Sequence, residues 1–190
     1  RGGKENRTDT CHGDADALHE MRIALTRLRT ALLFFGPTIK TPTTERLRRE
    51  ARWLNGKLGA ARDLDVSLRG ERPRHTHNER VKHWKAERQR RYAQVQRTLR
   101  AKRYRQFIKT LRSWIDGRNT GSAGMQAAGG FSTDRLSQWQ AKLLRRANRL
   151  DHLGTRKRHK LRIRTKRFRY ALEWSLKLTP SQAPKRTAMI

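Results

Sequence analysis

The chain has a single cysteine, Cys11, so no internal disulfide can form, and such thiol usage suits a reducing cytoplasm. Long hydrophobic runs are missing: no stretch reaches the roughly 18 apolar residues of a membrane-spanning helix. No secretory signal is visible at the start, so a cytoplasmic location is expected. Strand-like alternation is also missing. Leu161-Arg162-Ile163-Arg164 alternates, but it is too short to outweigh its helical context. No Walker A loop and no dinucleotide fingerprint is present, which removes the commonest nucleotide-enzyme readings. Acidic residues are scarce, with 16 Asp+Glu against 47 Lys+Arg, for a formal net charge of +31.

A 190-residue chain with that excess repels itself unless a polyanion or counterions neutralise it. The partner class is therefore a nucleic acid, an anionic surface or an inorganic polyanion. Of the basic residues, 34 are Arg and 13 are Lys, and arginine's planar fork suits bidentate phosphate oxygens. The hydrophobic share of 34% is periodic rather than scattered, which argues for a packed core over a disordered polycation.

The charge is organised by a repeated helix motif. Residues 19–34 (HEMRIALTRLRTALLF) and 159–174 (HKLRIRTKRFRYALEW) share seven of 16 positions. The identities are His19/His159, Arg22/Arg162, Ile23/Ile163, Arg27/Arg167, Arg29/Arg169, Ala31/Ala171 and Leu32/Leu172. Each copy is expected to form one half of a pseudo-symmetric structure. At 100° per residue, His159, Arg162, Lys166 and Arg169 fall within about 80° of one another. His19, Arg22 and Arg29 do the same, with Thr26 in place of the lysine. Met21, Leu25, Leu28 and Leu32 lie on the opposite side, matched by Leu161, Thr165, Phe168 and Leu172. A second apolar row, Ile23 and Phe34 or Ile163, Tyr170 and Trp174, borders the basic stripe. A helix apolar on two sides fits the inside of a bundle, with its charges aimed into a wet cavity or groove.

The rest of the chain reads as helices. Residues 1–15 are expected to be loose, and Asp16 to cap a helix from about Ala17 to Phe35. Thr41-Pro42 reads as an N-cap followed by proline at the first helical position. Leu47, Ala51, Leu54, Leu58 and Ala61 have clean helical spacing, and that helix is expected to end over 58–65. Residues 67–78 are expected to loop. One or two helices follow, with Val81, Trp84, Val95, Leu99, Phe107, Leu111 and Trp114 inward. Five glycines mark 117–131 as a linker. Ser132 or Thr133 is expected to start a helix with Leu136, Trp139, Leu143, Ala147 and Leu150 inward. The second motif helix is expected over Arg156 to Lys177, and a flexible tail over 179–190. The halves are thus 16–116 and 132–178.

Several segments carry a family resemblance: His-x-x-Arg-Ile, Arg-Leu-Arg-x-Ala-Leu, Leu-Gly-Ala-Ala-Arg-Asp-Leu-Asp-Val at 58–66, and Leu161 to Glu173, the most specific. Over about 17–66 and 132–176 the chain resembles the CHAD domain, the conserved histidine α-helical domain. The resemblance implies an all-α fold of two helical bundles related by a pseudo-twofold axis. It implies a basic central cavity lined by the motif histidines, arginines and lysines, which binds inorganic polyphosphate without catalysis. One departure stands out. Where the family continues into a helix ending in Leu-Gly-x-x-x-Asp, this chain runs Leu-Thr-Pro-Ser-Gln-Ala-Pro, so the second half is expected to be incomplete.

The expected anion ligands are Arg22, Arg29, Arg162, Lys166 and Arg169, each on a stripe opened by His19 or His159. Each imidazole is expected to offer a ring N–H as a hydrogen-bond donor to phosphate. Arg27 and Arg167 flank the second apolar row, to line the cavity or pair with acids. Lys57 and Arg62 are further candidates for the same cavity, and Arg48 another. Asp63 and Asp65 read as structural partners of arginines rather than as acids in catalysis. Cys11-His12 with His19 lacks the paired spacing of a zinc site, and His75 and His77 sit in a basic loop. No metal, cofactor or catalytic centre is expected. The alternative is a helical DNA- or RNA-binding protein using outer basic clusters at 88–91, 97–105 and 145–149, with nucleic acid otherwise a weaker competitor. A third reading is a scaffold for a protein partner associated with polyphosphate granules.

Overall fold

The computed structural model describes residues 6–70, 79–117 and 122–178, with side chains over 15–70, 79–117 and 128–178. The described residues are all-helical, without a strand. The helices are α1 (Asn6–Phe34), α2 (Gly36–Ile39), α3 (Pro42–Gly70), α4 (Glu79–Arg100), α5 (Lys102–Asp116), α6 (Ser122–Ala147) and α7 (Thr155–Leu178). They divide into two compact units. Unit 1 is Arg1–Arg29 with Lys40–Asp116, and unit 2 is Thr30–Ile39 with Gly117–Ile190.

In unit 1, α3 packs on α4 and α5. The threonine at its start behaves as its chemistry dictates. Thr41 Oγ1 accepts from the Thr44 amide at 3.2 Å, and Thr44 Oγ1 accepts from the Thr41 amide at 2.9 Å. This reciprocal cap satisfies two end donors, and Pro42 follows at the position where a missing amide costs nothing. Leu47, Ala51, Leu54, Leu58 and Ala61 are then all buried, as their spacing predicts. The row continues one turn further to Asp65, which is buried as well. There α3 extends to Gly70, past the expected end at 58–65. Asp65 carries that extension, because its carboxylate accepts from Arg88 Nε at 2.6 Å and Tyr92 Oη at 2.8 Å on α4. Burial, then the bond to Asp65, pushes the Tyr92 phenol above its ordinary pKa. Arg103 of α5 forks onto Glu50 at 2.7 and 3.1 Å while its guanidinium covers the Trp53 ring at 4.1 Å. The long basic stretch forms two helices, broken by a bend at Ala101.

In unit 2, α6 packs on α7. Residues 30–39 belong to this unit rather than to the first half: Phe34 is fully buried, with its ring edge-on to Trp139 at 5.2 Å and to Phe131 at 6.3 Å. The glycine-rich segment differs from expectation, since 122–130 is helix rather than linker. Ser132 and Thr133 do not cap; both lie inside α6 and bond back to the Gly129 carbonyl at 2.8 and 3.3 Å. At the N-terminus α1 begins at Asn6, not near Ala17, and Asp16 sits within it, accepting from Arg69 Nη2 at 2.8 Å. Leu150, expected inward, is 45% exposed, and Ala147 is exposed too. Beyond Ala147 the chain leaves α6 for a 3-10 turn at Leu150–His152. Of the residues in the expected 67–78 loop, 67–70 close α3 and 71–78, with His75 and His77, lie outside the described residues. The expected tail at 179–190 lies outside them as well.

Candidate functional site

The first motif stripe meets α3 inside unit 1. Arg22 Nη1 donates to the Gly59 carbonyl at 3.1 Å and lies 3.8 Å from Asp63 Oδ1. Asp16 reaches Arg69 six residues earlier on α1, so α1 and α3 run antiparallel. Arg29 lies two turns along the same stripe of α1. The α3 residues that follow this edge are Arg48, Arg52, Asn55, Gly59 and Arg62, all within about 80° of one another. Two polar atoms on this edge, Asn55 Oδ1 and Arg62 Nη1, are buried and have no hydrogen-bond partner among the described residues. A buried donor left unmatched is costly, so an anion reaching Arg62 recovers a bond that the fold alone leaves open.

The structure thus brings Arg22 to α3 at Gly59 and Asp63, while His19 and Arg29 share its stripe on α1 and Arg48 and Arg62 share the Gly59 edge of α3. His19, Arg22, Arg27, Arg29, Arg48 and Arg62 are all half-buried. Arg48 is three turns from Gly59 and rests 3.5 Å from Glu45. Lys57 is not part of this edge: it is exposed, about 140° around α3 from Arg62. Asp63 and Asp65 pair with arginines, as expected. Sequence reading missed Arg52 and Asn55, although both share the helical period of Arg48, Gly59 and Arg62.

The second stripe stands open in unit 2. His159, Arg162, Lys166 and Arg169 are exposed along one side of α7, with Arg167 half-buried on the side toward α6. Lys166 Nζ lies 5.9 Å and the Arg169 guanidinium 5.2 Å from the ring of Tyr170, which is buried. Tyr170 stacks on Trp174 at 6.4 Å. The aromatic pair holds the border of the stripe, and the side chains above it project to water. Arg169 reaches Glu173 one turn on, at 3.7 Å. The apolar rows predicted for this copy are only partly covered. Tyr170 and Ala171 are buried, but Ile163 and Leu172 are each 39% exposed and Thr165 is exposed. The first copy differs, with Leu25, Leu32 and Phe34 buried.

The arrangement offers rows of cations with apolar flanks. Among the described residues no group of His, Cys, Asp or Glu has the closeness that holds a metal ion. No described helix is long and apolar enough to cross a membrane. Such rows bind extended anions by charge and by guanidinium hydrogen bonds.

Comparison with curated proteins gave no match. Among solved structures, the CHAD domain from the plant Ricinus communis is similar at 30% identity, with a TM-score of 0.71. The alignment covers 85% of this chain and 55% of that one, so this chain spans little more than half of its length. The CHAD domain family's sequence model matches residues 4–188, nearly the whole chain and both basic stripes, and by that match the chain belongs to the CHAD domain family.

Proposed function

We propose that this chain binds inorganic polyphosphate, without catalysing a reaction on it, along the His/Arg/Lys stripes of its two motif helices. The carrying observation is the α1–α3 edge of unit 1. Arg22 is held in place by the Gly59 carbonyl, and the buried Nη1 of Arg62, one turn further along α3, has no hydrogen-bond partner among the described residues. A phosphate oxygen supplies the missing acceptor, and repeated phosphates match a cation row better than a single ion does. The stripe from His19 to Arg29 runs roughly 15 Å, several phosphates long. The open α7 stripe adds His159, Arg162, Lys166 and Arg169 as a second row.

Binding to the folded form alone stabilises that form by mass action. Polyphosphate addition is therefore expected to raise the unfolding midpoint far more than orthophosphate at equal phosphate concentration. The nucleic-acid reading keeps one observation in its favour: Arg97, Arg100, Lys102 and Arg105 form an exposed cluster around the α4–α5 bend. A competition titration separates the two. Labelled polyphosphate held at physiological salt is challenged with duplex DNA, single-stranded RNA and orthophosphate. Displacement by unlabelled polyphosphate alone supports the stripes as the site. Equal displacement by DNA or RNA overturns that assignment and moves binding to the outer cluster. Salt dependence decides nothing, because both readings predict a steep one.

A further inference from the structure

A second cationic feature lies in unit 2, on the side of α7 turned away from its histidine stripe. There α6 and α7, with Leu33 at the end of α1, line a half-open cavity of about 270 Å³. Its apolar surface comes from Leu33, Trp139, Leu143 and Phe168. Its cations are Arg135, Lys142 and Arg146 from α6, and Arg164 and Arg167 from α7. No acidic residue lines it. The placement follows from helical period. Arg135, Trp139, Lys142 and Arg146 stand at i, i+4, i+7 and i+11 on α6, while Arg164, Arg167 and Phe168 stand at i, i+3 and i+4 on α7. Arg164 is roughly 160° around α7 from Arg162, so this cavity and the histidine stripe are separate surfaces.

Two details mark the cavity as built for a ligand with both a flat and a charged part. The Trp139 indole is fixed edge-on by the fully buried Phe34 at 5.2 Å and an interplanar angle of 88°, which leaves a rigid aromatic wall. Arg135 Nε is buried without a hydrogen-bond partner, and Lys142, Arg146 and Arg164 pair with no acid among the described residues. A bare phosphate chain satisfies the cations but gains nothing from Trp139 and Phe168. An apolar ligand leaves the cations unanswered. A planar heteroaromatic base stacks on aromatic and guanidinium faces alike, and its attached phosphates meet the open cations. The volume is close to the lower end of ligand pockets, roughly 300 Å³, which suits the base with the phosphates reaching outward to the mouth.

We propose that the α6–α7 cavity of unit 2 binds a nucleoside polyphosphate, its base against Trp139 and Phe168 and its phosphates on Lys142, Arg146 and Arg164. The site does not depend on the polyphosphate stripes. Calorimetric titration of the full chain with ATP, in magnesium-free buffer at physiological salt, tests it. ATP is expected to bind at least tenfold more tightly than inorganic tripolyphosphate in a competition at this site. The double variant R146A/R164A, at exposed positions, is expected to lose at least tenfold in ATP affinity. It should keep its helical circular dichroism and hold long-chain polyphosphate within about threefold of the parent. Phe168→Leu keeps apolar volume but removes a ring, so it is expected to weaken ATP several-fold and leave tripolyphosphate unchanged. The assignment is overturned if tripolyphosphate displaces ATP as well as ATP does, if R146A/R164A binds ATP unchanged, or if a short RNA binds more tightly than ATP at this site. Loss of polyphosphate binding in stripe variants that still bind ATP separates the two sites.

Discussion

The two copies of the motif share a sequence pattern but have different surroundings. In unit 1, 29 basic residues meet 13 acidic ones, and acids join helix to helix. Asp65 ties α3 to α4, Glu50 ties α3 to α5, and Asp63 and Asp16 tie α3 to α1. Part of the α1 stripe therefore serves the fold. In unit 2, 18 basic residues meet three acidic ones, and Glu173 reaches Arg169 within α7 itself. There the stripe is left to solvent. One pattern thus has two settings: part of the α1 copy is tied to α3, and the α7 copy stands exposed.

The comparison breaks most visibly at Asp65. Its carboxylate is almost fully buried and serves both Arg88 and Tyr92. Asp65→Ala leaves a half-buried guanidinium unmatched and is expected to cost about 3–5 kcal/mol by urea unfolding. A loss below about 1 kcal/mol would show that acids do not hold unit 1 together.

The α7 stripe should behave in the opposite way. Replacing His159, Arg162, Lys166 and Arg169 with alanine is expected to lower polyphosphate affinity at least tenfold, by fluorescence titration. The melting temperature should stay level or rise, because like charges are removed from an exposed face. Arg22→Ala, by contrast, should weaken both binding and stability, the latter by about 1–2 kcal/mol through the lost bond to Gly59.

Tyr92→Phe sharpens the picture at smaller scale, with an expected cost of about 1 kcal/mol at neutral pH. Its pH dependence has a definite sign. Burial and the bond to Asp65 raise the phenol's pKa in the folded state, so its contribution is complete below about pH 10, the ordinary tyrosine value. It is lost as pH rises through the higher folded value. The phenylalanine variant should show a shallower loss of stability on the alkaline side.

Glycine gives the smallest effect. A Cβ added at Gly56 meets nothing within 4 Å, and one at Gly59 meets only Arg22 Nη1 at 4.0 Å. Alanine at Gly56 is expected to raise stability by about 0.5–1 kcal/mol, through helix propensity alone. Polyphosphate affinity should not change.

Much of this was readable from periodicity. The α3 row from Leu47 to Ala61 and the Thr41-Pro42 start depend on local rules, and both hold. The errors arise where tertiary contacts override local signals. Ser132 and Thr133 resemble caps, yet their hydroxyls bond back to Gly129 inside a helix that runs through its glycines. Asp16 resembles a cap, yet it answers Arg69 across to α3. At the candidate site, the stripe candidates came from the repeated segment. Arg52 and Asn55 were missed, because neither belongs to that segment. Only the meeting of α1 with α3 reveals that this edge faces Arg22. Lys57 is near Arg62 in sequence but on another, exposed side of the helix.

The central claim is that affinity resides in the stripes rather than in net charge. The most direct measurement compares two variants that each lose four cations. One replaces Arg22, Arg29, Arg162 and Arg169 with alanine; the other replaces Arg97, Arg100, Lys102 and Arg105, exposed around the α4–α5 bend. Both are titrated with polyphosphate at one salt concentration, with helicity checked in parallel. The stripe variant is expected to lose most of its affinity while the bend variant stays within about threefold of the parent. Equal losses in the two would contradict the account and make the protein a general polycation.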